Sequence, residues 1–167
     1  MKEILHQLKR WPIAVGLAVL ATLLFSGIAL AAPTLQAGDL VLENFLKREQ
    51  IALNDQALRL QQANAAITTT QDWINQLKAA GKDTSALESA LATYKTQVAS
   101  AQSSHDSAAS VLASPAGFDG SGKVTSAKTA LQTIINAGKP LRQAHLTIAQ
   151  GTVDFRAAVQ AWINANK

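Results

Sequence analysis

Leu46, Leu53, Leu60, Ile67 and Ile74 recur at seven-residue intervals, interleaved with Leu42, Glu49, Gln56, Ala63, Thr70 and Leu77. Phe45, Ala52, Ala66 and Trp73 widen the stripe on one flank. A seam at this spacing is a helix turning one face to a partner helix. It predicts a helix over 39–80, with Asp39 as N-cap and Gly81 as C-terminal stop. A second seam runs Leu87, Leu91, Tyr94, Val98, Ala101, His105, Ala108, Leu112 in alternating steps of four and three. It predicts a helix over 84–114, capped by Asp83 or Ser85, with Ser85 and Glu88 at capping-box spacing and Pro115 closing it. After a Gly-rich loop, a third seam begins Ala127, Leu131, Ile134, Gly138, Leu141, His145. It continues through Ile148, Thr152, Phe155 and Val159 to Trp162. The predicted helix spans 125–165 with Thr125 as cap. Pro140 lies inside it, and the seam keeps its phase across this residue, so one kinked helix is expected rather than two. Past Ala32 no strand-like alternation occurs. Short connections make neighbouring helices antiparallel. The fold class expected is all-α: an elongated antiparallel three-helix bundle, roughly 60 Å long, with coiled-coil-like seams, following an N-terminal signal helix.

The pattern ahead of the seams has a different origin. Lys2, Lys9 and Arg10 precede an apolar run from about Pro12 to Leu30, and Ala29-Leu30-Ala31 follows the A-x-A pattern. These are the parts of an export signal. Residues 1–31 are therefore read as a signal peptide with cleavage near Ala31, 32–38 as a linker, and 39–167 as the bundle. Residues 13–30 also approach the ~20 residues that span a bilayer, so a retained N-terminal anchor is the alternative. Either way the chain is exported, to the periplasm, cell envelope or extracellular space. Membrane contact is expected only if the segment is kept.

The leader also carries half of the formal net charge of +4. What remains is mildly basic, with Lys and Arg scattered among acids. Nucleic-acid binding needs clustered cations, so it is not expected. With no cysteine, disulfides, thiolate catalysis and c-type haem attachment are excluded. The only methionine is Met1, so Met/His haem ligation is excluded as well.

His105 and His145 are the candidate metal ligands, since both stand on seams. Counted from the loop, they are offset by roughly 15 Å along the bundle, and neither has Asp, Glu or His three or four residues away. The preferred role for both is a buried polar layer, with His145 paired to Tyr94 and His105 near Gln56 and Arg59. The loop from Gly117 to Thr125 has a calcium-loop outline, but its first and twelfth ligand positions fall on Gly117 and Lys128, so no such site is expected. No nucleophile elbow, phosphate loop, zinc-protease motif or convergent carboxylate pair is present. The chain is read as a non-enzyme without cofactors. Val41, Ile51 and Leu58, with Leu40, form a second apolar stripe on the first helix. That stripe is the candidate interaction face for a protein partner or for self-association. The expected function is protein–protein contact by an exported bundle (scaffold, adaptor or holdase-like). The alternative is a metal or small-ligand sensor using the seam histidines.

Leu146-Thr147-Ile148-Ala149-Gln150 resembles the L-T-x-x-Q element of the small exported helical chaperones and stress sensors of the bacterial envelope. Here the element stands once and in mid-helix, whereas that family places it at helix starts, and the Met/His-rich character of several members is missing. The stretch from Asp83 to Trp162 is similar to exported bacterial helical proteins of no assigned activity. His105-Asp106, Ala116-Gly117-Phe118-Asp119, Val124, Ala144-His145 and Asp154-Phe155-Arg156 carry this likeness. The resemblance implies a helical fold and brings no activity with it.

Overall fold

A computed structural model describes residues 35–166. The expected signal peptide over 1–31, its expected cleavage near Ala31 and residues 32–34 of the expected linker lie outside the described residues. Within them the chain forms three helices packed against each other: α1 Leu35–Ala79, α2 Ser85–Ala113 and α3 Ala127–Ala165. No strand occurs among the described residues; one antiparallel bridge joins Phe118 to Val124. No described helix is long and apolar enough to cross a membrane.

The helix ends differ from the expected ones by a few residues, for local reasons. α1 is already helical at Leu35, so 35–38 continue the helix rather than form a linker, and Asp39 lies inside it instead of capping it. One glycine, Gly38, costs about 1 kcal/mol of helix propensity, too little to stop a helix whose next turns bury Glu43 and Leu46. Gly81 ends α1 as expected, at φ +72°, with the Lys82 N–H donating to the Leu77 carbonyl at 3.0 Å; this is the Schellman closure. The residue at the start of α2 is Thr84 rather than Asp83 or Ser85. Thr84 is buried, and its hydroxyl donates to the Glu88 carboxylate, while Asp83 Oδ1 accepts the Ser85 N–H at 2.9 Å. Ser126 rather than Thr125 precedes α3. α3 then runs unbroken through Pro140. The carbonyl that loses its helical donor there belongs to Asn136, an exposed residue open to water.

Cross-helix contacts fix the directions. Gln56 on α1 reaches His105 on α2, and further along, Lys78 reaches Glu88. Tyr94 on α2 bonds Thr152 on α3, and Trp162 donates to the Asp83 carbonyl just ahead of α2. Glu43 and Gln56 meet Lys123 and Leu141 respectively. α2 therefore runs antiparallel to α1 and α3. Three apolar clusters stack along the bundle. Leu46, Leu112 and Leu141 anchor the loop end. Leu60, Tyr94 and Ile148 hold the middle. Ile74, Leu87, Leu91 and Trp162 close the turn end, where Trp73 meets Trp162 edge-on at 5.3 Å.

Two of the three expected seams pack as read, and the third packs in part: Leu141, Ile148 and Trp162 are buried, and Ile134, Phe155 and Val159 pack half-buried against the core. α2 buries every expected position except His105, which is half-buried. α1 buries Leu46, Gln56, Leu60, Ala63, Thr70, Ile74 and Leu77, while Ala52 and Ala66 are exposed and the stripe is narrower than read. α3 is phased differently. Its buried line is Ala130, Thr133, Ala137, Leu141, Ala144, Ile148, Gly151 and Trp162. Leu131 and His145 face solvent instead. Small side chains at 130, 137, 144 and 151 let α3 lie close against α2, the most intimately packed pair of the three.

Candidate functional site

The two histidines lead separate lives in the structure. His105 projects from α2 toward α1, and its Nδ1 lies 3.3 Å from the Gln56 amide oxygen, which accepts. The Gln56 amide nitrogen donates in turn to the Leu141 carbonyl of α3 at 2.9 Å. Gln56 is buried, so this chain spans all three helices and satisfies the polar groups it buries. Its position is the one expected for His105. The expected Tyr94–His145 pair does not form. The Tyr94 hydroxyl is 3.2 Å from Thr152 Oγ1, and its ring stacks on Phe155 at 4.8 Å. With Ala144 turned inward, His145 falls on the exposed shoulder of α3. Partial burial and the positive charge of Arg59 hold its pKa below the ordinary histidine value. Among the described residues, no three His, Asp or Glu side chains stand close enough together to hold a metal ion.

The loop between α2 and α3 is built from the inside. Asp119 Oδ1 accepts from the Ser121 N–H, the Ser121 hydroxyl and the Lys123 N–H at 2.8–2.9 Å. These bonds hold its carboxyl below the usual range. Oδ1 of this carboxylate thus holds its own turn together. The Gly117 carbonyl accepts from Thr125 and Ser126, and Thr133 donates to the Ala116 carbonyl at 2.8 Å. Lys123 then reaches Glu43 of α1 at 2.8 Å, and Glu43 also accepts the Val124 N–H. Glu43 is nearly covered, and the lysine lowers its pKa. The partners of this clamp lie 80 residues apart, so its only local sign in the sequence is an acid one residue off an apolar seam.

The outer side of α1 is available for contact. Val41, Ile51 and Leu58 are 52%, 60% and 58% exposed, and Leu40 is 56%. Leu40, Ile51 and Leu58 fall within about 20° of one another around the helix, opposite the buried Leu46–Leu60 line. Phe45, expected to widen the seam, instead lies at the rim with the Arg48 guanidinium 5.9 Å from its ring centre. α3 has an outer face of its own, with Leu131, Ile135, Leu146 and Val153 exposed. That face was not among the expected contact surfaces; its sign in the sequence is the pair Leu146 and Val153, seven apart and off the expected seam. Comparisons with protein-family models, with curated proteins and with solved structures find no match to this chain.

Proposed function

We propose that the protein is a non-enzymatic exported scaffold or adaptor that works through protein–protein contact, with the outer stripe of α1 as its contact face. One observation carries this reading. Leu40, Ile51 and Leu58 share one side of α1 and remain more than half exposed, with Val41 exposed about a quarter-turn away, although the inner face of the same helix is already packed. Isolated surface apolars are ordinary; several on one side of one helix make an apolar patch that a protein partner can cover. Read as an export signal, residues 1–31 put this contact outside the cytoplasm, and the seams of the sequence favour an elongated, coiled-coil-like bundle. The partner is a second protein or another copy of this chain.

Site-specific photo-crosslinking tests the reading. A crosslinker at position 51 or 58 should yield a discrete protein adduct in the cell envelope, while one at exposed Ser89 should not. Absence of any adduct at 51 and 58, with a monomer in light scattering, would overturn the proposal.

A further inference from the structure

α3 concentrates charge that the other helices lack. It carries Lys128, Lys139, Arg142 and Arg156 against the single acid Asp154, whereas α1 and α2 each hold one more acid than base. All four cations are exposed. None takes part in an ion pair: among the described residues the salt bridges are Lys78–Glu88 and Lys123–Glu43. At 100° per residue the four fall within about 100° of arc on the side of α3 away from the core, and Asp154 lies outside that arc. The same arc holds Leu131, Ile135, Leu146 and Val153, exposed by 51%, 38%, 52% and 62%. Cations and apolar side chains therefore alternate along one face for about 42 Å.

Three kinds of surface answer a cationic face, and the spacing separates them. A helical protein partner needs an apolar residue every three or four positions. Between Ile135 and Leu146 this face presents Lys139 and Arg142 instead. A nucleic acid would be gripped by clustered cations and exposed aromatic platforms, and the arc contains no aromatic residue. A bilayer surface demands no register. Its headgroup phosphates meet the cations, while branched apolar side chains enter between the lipids and Lys and Arg stems lie along them.

We infer that the outer face of α3 is a docking surface for an anionic lipid bilayer, with Leu131, Ile135, Leu146 and Val153 entering the headgroup layer. This goes beyond the proposed α1 contact and does not depend on it. The test is co-sedimentation of the full chain, as purified from cells, with phosphatidylglycerol-containing vesicles and with pure phosphatidylcholine vesicles. Binding should favour the anionic vesicles and collapse as salt rises from about 0.05 M to about 0.5 M. K139E/R142E, and separately L146Q/V153Q, should each lower anionic-vesicle binding by about tenfold or more with the melting temperature unchanged. The comparison is made at a lipid concentration that binds only part of the wild type, so that a contribution from residues 12–30, common to all the proteins, does not saturate the readout. No preference for anionic vesicles, or undiminished binding of both variants, would overturn the inference. So would a crosslinker at position 146 that captures an acidic protein in the envelope rather than lipid.

Discussion

Gly117 shows how little room single residues have at the loop end. Its φ is +83°, and a Cβ built there would lie 2.3 Å from the backbone nitrogen of Ala130. No rotation of a side chain can relieve a collision with backbone. Gly117→Ala should therefore cost about 1–3 kcal/mol, while Gly120→Ala, with open space around it, should stay within about 0.5 kcal/mol; urea unfolding of the two variants measures both. Glu49 is a residue of the opposite kind, a seam acid that the fold tolerates. Its carboxylate is partly buried beside Gly138, and burial raises its pKa against the opposing pull of Arg48. The folded state then keeps the proton to higher pH than the unfolded chain. Stability falls as pH rises from the unfolded value toward the raised one, and the full penalty is present above it. Glu49→Gln should raise the melting temperature at pH 7, the gain shrinking toward zero near about pH 4. A gain independent of pH would show that the carboxylate's charge is not the cause. The sequence placed Glu49 on the seam correctly, but a seam position alone does not say whether an acid is paired, and this one is not held by a hydrogen bond as Glu43 is.

At the scale of elements, α2 was legible almost residue by residue and α3 was not, and the difference is chemical. In α2 the large apolar side chains and the small ones share one line, so any phase that buries Leu87, Leu91 and Val98 also buries Ala101 and Ala108. In α3 two lines compete one residue apart. Leu131, Ile134 and His145 follow the more apolar line for part of its length; Ala130, Ala137, Ala144 and Gly151 form the thinner one. Hydrophobicity favours the first and close approach favours the second. The structure takes the second, so that a Cβ at Gly151 would sit 2.6 Å from the Gln97 side chain of α2. The displaced residues, Leu131 among them, became the outer face of α3. Ala144 is fully buried on the close line, which gives a direct check: Ala144→Leu should destabilise by about 1–3 kcal/mol through overpacking, whereas His145→Leu should change stability by less than about 0.5 kcal/mol. The reverse order in chemical denaturation would restore the phase expected from the sequence.

Over the whole molecule, the acids with lowered pKa values gather at the two ends of the bundle. Glu43 is held by Lys123, and Asp119 by the amides of its own turn, at the loop end. Asp83 is held by Ser85, and Glu88 by Thr84 and Lys78, at the turn end. The middle cluster of Leu60, Tyr94, Val98 and Ile148 rests on apolar packing and the Gln56 layer instead. A carboxyl whose folded pKa is depressed adds stability that is complete above its unfolded pKa and disappears as pH falls through the folded one, because the unfolded chain then takes up more protons. Acid should therefore loosen the ends before the centre. Hydrogen exchange at about pH 3, corrected for intrinsic rates, should show protection lost first around 43–46, 83–88 and 117–126 and kept longest around 94–101 and 144–148. Uniform loss along the chain would mean that the end clamps and the central packing form one cooperative unit. The ordered loss follows if the bundle is held in the middle by close-packed alanines and at its ends by carboxylates. The outer faces of α1 and α3 draw on neither set of interactions, which leaves both free to bind while the core stays intact.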